Sequence, residues 1–306
     1  MGRRSPLPVC DPFGARVAAV AQRADAAGVL CTIPTVQQTI EDGGMRFVVR
    51  VITEPLPPRE VAQRLSGDAV TYHEDHDPFL PYDEHLYVAD LSGTHVCLLN
   101  KYNVLDHHLL IVTKEFEDQE SWLNEADFLA MAACLQEVDG LAFYNSGKAA
   151  GASQRHKHLQ VVPANSLGET PIQPLLDAAG RPAGVFNLGA LDFVHAALVF
   201  DPDDDPSTMA AAMLERYRTL LHATGLGGLH GLRQSAPYNL LATRRWMLLA
   251  PRSHEAYASV PVNALGFAGY LLARDQTQFR LLQTLGPMAV LRHVAVAVTP
   301  MDRLKR

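Results

Sequence analysis

One unbroken stretch, Asn145 to Gln160, holds the residues best suited to chemistry: Asn-Ser-Gly-Lys-Ala-Ala-Gly-Ala-Ser-Gln-Arg-His-Lys-His-Leu-Gln. Gly147–Ser153 is a run of small residues whose backbone N–H groups can face an anion with no side chains in the way. It leads into an alternating strand in which His156, His158 and Gln160 share a face, because strand side chains have a period of two. A phosphate held by the loop would lie beside two imidazoles and a carboxamide. A neutral imidazole, with an ordinary pKa near ~6.5, is a good nucleophile toward phosphorus. A carboxamide donates N–H bonds to a phosphate oxygen but transfers no proton. The pattern supplies what nucleotidyl transfer through a phospho-histidine requires.

A zinc half-site also uses His-x-His on a strand, but it needs further ligands, and glutamine is a poor one. His107-His108 is the other histidine cluster. Adjacent strand residues face opposite sides, so at most one of the two could join a metal, and no metal site is expected.

The elements that must position this stretch follow from periodicity. Val17–Ala27 reads as an amphipathic helix and Met45–Ile52 as a strand, with turn chemistry at 41–44 between them. Strands are predicted over His85–Asp90, Thr94–Asn100, Leu109–Thr113, Leu141–Tyr144 and His158–Val162. A helix capped by Asn124 is predicted over Leu123–Val138. Residues 164–184 contain three prolines and no aromatic residue, and read as a crossing between halves. Beyond it come a strand (Phe193–Phe200), a helix over Thr208–Ala223 capped by Ser207, strands Asn239–Thr243 and Trp246–Ala250, and helices Ala264–Arg274 and Asp275–Leu285. A shared Asn–strand–basic pattern in Asn103–Phe116 and Asn239–His254 hints at a distant duplication.

A chain of 306 residues is long enough for two domains or one large duplicated core. The boundaries expected are 1–165, a connecting 166–184, and 185–306. With 48% hydrophobic and 19% charged residues, disorder is excluded. A net charge of −7 argues against bulk nucleic-acid binding. No apolar run approaches the ~18 residues of a membrane span, and the N-terminus lacks a secretory apolar segment. Four scattered cysteines without a Cys-x-x-Cys pair fit a reducing cytoplasm. Arginines outnumber lysines 21 to 5, and four of the lysines (Lys101, Lys114, Lys148, Lys157) fall within 101–157.

Asn145–Val161 resembles the phosphate site of the histidine triad superfamily residue for residue, and Gln160 in the last motif position resembles its transferase branches. Leu98–Phe116, Tyr238–Arg252 and Val262–Gly269 narrow the similarity to the diadenosine tetraphosphate phosphorylases, or ATP adenylyltransferases. The resemblance runs from about residue 33 to 274. It implies an α+β fold on a histidine-triad-like antiparallel sheet with packed helices, and a C-terminal half that completes the pocket. It implies reversible phosphorolysis of diadenosine tetraphosphate by inorganic phosphate to ATP and ADP, with His158 as nucleophile and His156 orienting the site. Gln160, Asn145 and the loop Gly151, Ala152, Ser153 and Gln154 would hold phosphates. Asn263, Ala264 and Leu265 match a substrate-contacting stretch, Arg274 stands where relatives have a basic residue on the distal phosphates, and Lys101 is the candidate for another phosphate contact. No tightly bound cofactor is implied beyond magnesium carried by the polyphosphate. The partners implied are nucleotides and phosphate, with oligomeric state left open.

Two departures stand out. The lysine expected after the Met45–Ile52 strand is missing, leaving Arg59 or Arg50 to replace it with a different geometry. Arg155 stands where proline is usual, so its cation either neighbours the leaving group or faces solvent. The alternatives are another His-x-His-x-Gln nucleoside-monophosphate transferase, a hydrolase, or a nucleotide-binding sensor without catalysis.

Overall fold

The computed structural model describes residues 12–54, 77–202, 205–228 and 231–298. Its centre is an eight-stranded antiparallel sheet in the order β3-β4-β5-β7-β6-β9-β10-β8. The strands are β3 (Tyr87–Asp90), β4 (His95–Leu99), β5 (Leu109–Thr113), β6 (Gly140–Asn145), β7 (His158–Pro163), β8 (Ala196–Val199), β9 (Tyr238–Ala242) and β10 (Trp246–Pro251). A smaller sheet holds β1 (Thr35–Asp42) and β2 (Met45–Ile52) as an antiparallel pair, with β13 (Tyr270–Ala273) parallel to β2. Two-residue strands β11 (Ala256–Tyr257) and β12 (Val260–Pro261) form a separate hairpin.

Alternation along the strands sorts the large sheet into two apolar faces. One carries Ile111, Leu159, Val161, Tyr144, Leu240 and Leu249 against α1 (Phe13–Ala26), α2 (Glu125–Glu137) and α3 (Pro206–Ala223). The other carries Leu141, Phe143, Val162, Leu241 and Leu248. It packs against the small sheet and against α4 (Gln276–Leu285) and α5 (Pro287–Val294) through Phe47, Val49, Leu282 and Leu291. His158, Gln160 and Asn145 fall on this second face, by the period of two.

The sheet repeats one arrangement. β5-α2-β6-β7 and β8-α3-β9-β10 are each strand, helix, strand, strand, with spatial order first, third, second. The units meet where β6 pairs with β9, from Ala142↔Ala242 to Asn145↔Asn239, and Phe128 of α2 meets Tyr217 of α3 at 5.3 Å between ring centroids. The segments matched in sequence, Asn103–Phe116 and Asn239–His254, are not equivalent: the first ends on a first strand, the second spans the second and third.

Other expectations need correction. The first helix begins at Phe13, after Pro12. Asp205, not Ser207, caps α3, accepting from Thr208 N–H at 2.7 Å, because Pro206 already occupies the first turn. The helix expected over 264–274 is a single turn, Ala264–Phe267, followed by β13. Gly269, at φ +97°, stops the turn, and a Cβ there would lie 2.4 Å from Pro171 Cβ. The strand β1 escapes notice because it is a polar, half-exposed edge. In the connecting segment, Ile172 and Leu176 are buried in the second core, so 166–184 packs rather than merely links. Among the described residues no helix is long and apolar enough to cross a membrane.

Candidate active site

His158 opens β7 and is 3% exposed. Its Nδ1 lies 2.8 Å from the His156 carbonyl. A carbonyl only accepts, so Nδ1 carries the proton and Nε2 carries the lone pair. Gln119 clips the strand in place. Its Oε1 accepts from His158 N–H at 2.8 Å, and its Nε2 donates to Asn145 O at 2.8 Å and His158 O at 3.1 Å. Phe79 lies 5.5 Å from the His158 ring and 5.6 Å from the His156 ring, centroid to centroid.

His156 has both nitrogens engaged, Nδ1 with Asp77 at 2.7 Å and Nε2 with the Thr113 carbonyl at 2.8 Å. Its ring is therefore built into the wall. On the opposite face, Lys157 is buried, its ammonium 2.6 Å from Asp127 and 3.0 Å from Glu117. Burial opposes ionisation of Asp127. Hydrogen bonds from His95 and Lys157, with the Lys157 charge, outweigh it and hold the carboxyl below its ordinary range. Asp127 also closes the capping box of α2 with Asn124, so one buried carboxylate ties that helix to the strand bearing His158.

The small-residue loop folds as a tight turn rather than as an open ring of amides. The N–H groups of Ala150 and Ala152 both donate to Gly147 O at 3.1 Å, and Gly151 N–H donates to Lys148 O at 2.8 Å. The amides of Gly151 and Ala152 are thus spent within the loop, since a single 3₁₀ turn closes on itself. Gly151 has another duty. At φ +88°, a Cβ would lie 2.9 Å from Val262 O and 3.0 Å from Asn263 Cα, so only glycine lets the loop meet the C-terminal half.

That meeting is built around Asn145 and Arg252. Asn145 Oδ1 accepts from Asn239 Nδ2 at 2.9 Å and from Ala264 N–H at 2.8 Å, while Asn263 caps the same turn by accepting from Leu265 N–H at 3.0 Å. Arg252, 2% exposed, donates to Ala150 O at 3.2 Å, Asn239 Oδ1 at 2.5 Å, Val262 O at 2.9 Å and Val294 O at 3.1 Å. Burial pulls its pKa down to about 9, with Glu255 opposing the fall; it stays charged at neutral pH. A buried cation satisfied by carbonyls stands directly behind the loop.

The structure therefore brings Asn145, Gly151, His158, Gln160 and Ala264 together. Gln160 is half-buried and pairs in register with Leu110 and Phe143. Asn239, Arg252, Gln119 and Asp77 belong to the assembly, although their types gave no local signal. Lys101 and Arg274 adjoin in sequence the corner where Tyr102 and Val104 pack with Leu272 on Ile33 and Ile52. Arg274 is exposed, 3.6 Å from Asp275. Arg50 is half-buried and donates to Thr35 Oγ1 at 3.3 Å; Arg59 lies outside the described residues. Arg155 pairs with Asp118 at 3.4 Å and is half-exposed. Of the clustered lysines, Lys157 is structural and Lys114 pairs with Asp90 at 2.9 Å.

His158, Asn145 and Gln160 share one face of an antiparallel sheet that a second unit closes, an arrangement suited to nucleotidyl transfer. The Ap4A phosphorylase N-terminal domain model matches residues 8–178, and the ATP adenylyltransferase C-terminal domain model matches 189–297. The chain belongs to the Ap4A phosphorylase family. It is 31% identical over 237 residues to diadenosine 5',5'''-P1,P4-tetraphosphate phosphorylase 2 of Saccharomyces cerevisiae, covering 67% of this chain and 71% of that protein. Protein APA1 of the same yeast is 28% identical over 232 residues, with the same coverage. The crystal structure of yeast Ap4A phosphorylase Apa2 in complex with Ap4A superposes with a TM-score of 0.72 at 22% identity, covering 94% of this chain and 98% of that one. The AMP complex gives 0.74 at 23% identity, covering 95% and 98%.

Proposed function

We propose that this enzyme splits diadenosine tetraphosphate with inorganic phosphate into ATP and ADP, reversibly, through an adenylyl group carried on His158. The observation that supports the route most strongly is the His158 tautomer: Nδ1 is tied to the His156 carbonyl at 2.8 Å, leaving Nε2 as the nucleophile. In the first step Nε2 bonds to the α-phosphorus, and the bond to the bridging oxygen breaks to release ATP. In the second, a phosphate oxygen bonds to the same phosphorus, the N–P bond breaks, and ADP leaves. Asn145 and Gln160 would donate N–H bonds to the phosphoryl oxygens, and Gly151–Gln154 would border the phosphate chain. Positioning and electrostatics supply most of the acceleration in such transfers.

Gln160 has no proton to exchange near neutrality, so the intermediate awaits an anion that needs little deprotonation. Among the described residues no group of three or more His, Cys, Asp or Glu could hold a metal ion. Magnesium would enter on the substrate phosphates. Lys101 and Arg274 would reach the distal phosphates from the corner. The free thiols of Cys31, Cys97 and Cys134 fit a cytoplasmic setting.

The test is product analysis of the dinucleotide incubated with and without phosphate. ATP and ADP are expected only with phosphate. ATP and AMP formed at an undiminished rate without it would make the enzyme a hydrolase and overturn the proposal.

A further inference from the structure

We propose that Asn100 and His108 form a relay that fixes the Gln160 carboxamide, oxygen inward and NH₂ toward the phosphoryl group, making His108 a positioning residue for transfer. The inference rests on the function proposed above and concerns how one of its donors is aimed.

His108 immediately precedes β5 and shares the face of Leu110, two residues on. Leu110 is the register partner of Gln160. His108 is thus the diagonal cross-strand neighbour of Gln160, about 7–8 Å away by Cα and within reach of two long side chains. The imidazole is 9% exposed, and its ring lies 5.8 Å from that of Phe143.

The protonation of this ring can be deduced link by link. Asn100 Oδ1 accepts from Tyr102 N–H at 3.2 Å. That fixes which end of the Asn100 amide is oxygen, so the group 3.2 Å from His108 Nδ1 is its NH₂. Nδ1 must therefore accept, and the proton sits on Nε2. Nε2 is buried and makes no hydrogen bond of ordinary geometry in the structure. Burial pulls the ring pKa down to about 4, with the Gln160 carboxamide opposing the fall and His158 adding to it. The ring is neutral at pH 7 and presents one fixed donor, and a buried donor of this kind demands an acceptor. The Gln160 oxygen is the acceptor at hand.

Asn145 follows the same logic, since its oxygen is already taken by Asn239 and Ala264. With both carboxamide oxygens occupied, both NH₂ groups face outward, and an anion meets donors alone. A flipped Gln160 would instead present lone pairs to the phosphoryl oxygens.

The experiment is a double-mutant cycle on phosphorolysis, with His108→Phe, Gln160→Met and the pair. His108→Phe should lower kcat by roughly 10- to 100-fold, the scale of one hydrogen bond to a charged group, with KM nearly unchanged. His108→Gln, which restores a donor, should recover most of it. In the Gln160→Met background His108→Phe should cost nothing further; full additivity would overturn the relay. Independently of any variant's folding, ¹⁵N NMR of labelled wild-type enzyme should show His108 as the Nε2–H tautomer, and an Nδ1–H tautomer would overturn it. Absence of phosphate-dependent ADP formation by the wild type would instead sink the underlying function.

Discussion

In the first repeated unit of the sheet the third strand opens on His158; in the second it opens on Trp246, on the same face. Trp246 donates its indole N–H to Gln173 Oε1 at 3.2 Å, and the strand runs apolar and buried from there to Pro251. The first unit spends its burial on holding the proposed nucleophile His158 beside Gln160, with His156 built into the wall and Lys157 and Asp127 tying the strand down from behind. The second places its polar residues at strand ends, Asn239 and Arg252, where they grip the loop and the Ala264 turn of the site. On the proposed function, one arrangement serves as reaction surface in one half and as a rigid brace in the other.

The comparison breaks most visibly at the paired strand openings. His158→Ala should lose far more than the ~10²–10³ in turnover that follows loss of one stabilising donor, with folding unchanged by circular dichroism. Trp246→Phe should leave turnover within a few-fold and cost about 1–3 kcal/mol in urea unfolding. Similar activity losses in both variants would end the division of labour.

Next in size is Arg252→Met. Removing the guanidinium leaves Val262 O and Asn239 Oδ1 without a donor and takes one of two donors from Ala150 O and Val294 O, which keep Asn239 Nδ2 and Ser253 N–H, an expected cost of about 3–5 kcal/mol. Arg252→Lys should recover only part, because a point charge cannot span that fork of acceptors. A urea-midpoint change worth under about 1 kcal/mol would mean the brace bears no strain from this residue.

How far these roles could be read in advance depended on distance along the chain. The His158–Gln160 face, Asn145 and the small-residue loop were legible because they are contiguous and obey a period of two. The brace was not. Asn239 and Arg252 act on Asn145 and Ala150 across about a hundred residues, and nothing near either in sequence signals the contact. Tyr270-Leu-Leu-Ala reads equally well as helix or strand until β2 is seen beside it. The loop's small residues suggest amides open to an anion, since composition reveals those residues but not the carbonyls on which their N–H groups close. Nor does the sequence say that Asn100, rather than a carboxylate, sets the His108 tautomer.

Acid stability offers a smaller effect. His108 has its pKa pulled by burial from 6.5 to about 4, so between those values the unfolded chain binds more protons than the folded one. The stability linked to it is complete above about pH 6.5 and is lost as pH falls through 4, by up to roughly 3 kcal/mol. Urea unfolding of wild type and His108→Gln across that range should show the variant with the flatter dependence; parallel curves would mean the ring is not buried neutral.

The smallest expected effect is that of Arg155→Ala. Its ion pair with Asp118 is half-exposed at 3.4 Å, worth about 0–1 kcal/mol, and turnover should not change. A tenfold or greater loss would place this cation on the leaving group instead.

The central claim is that His158 carries the adenylyl group, and the most direct measurement maps it. Enzyme mixed with dinucleotide in the absence of phosphate is quenched, digested and analysed by peptide mass spectrometry. AMP is expected on the peptide containing His158, attached to that residue and discharged as ADP when phosphate is added before the quench. AMP on another residue, or product formed in a single turnover with no adenylylated peptide at any time, would contradict it.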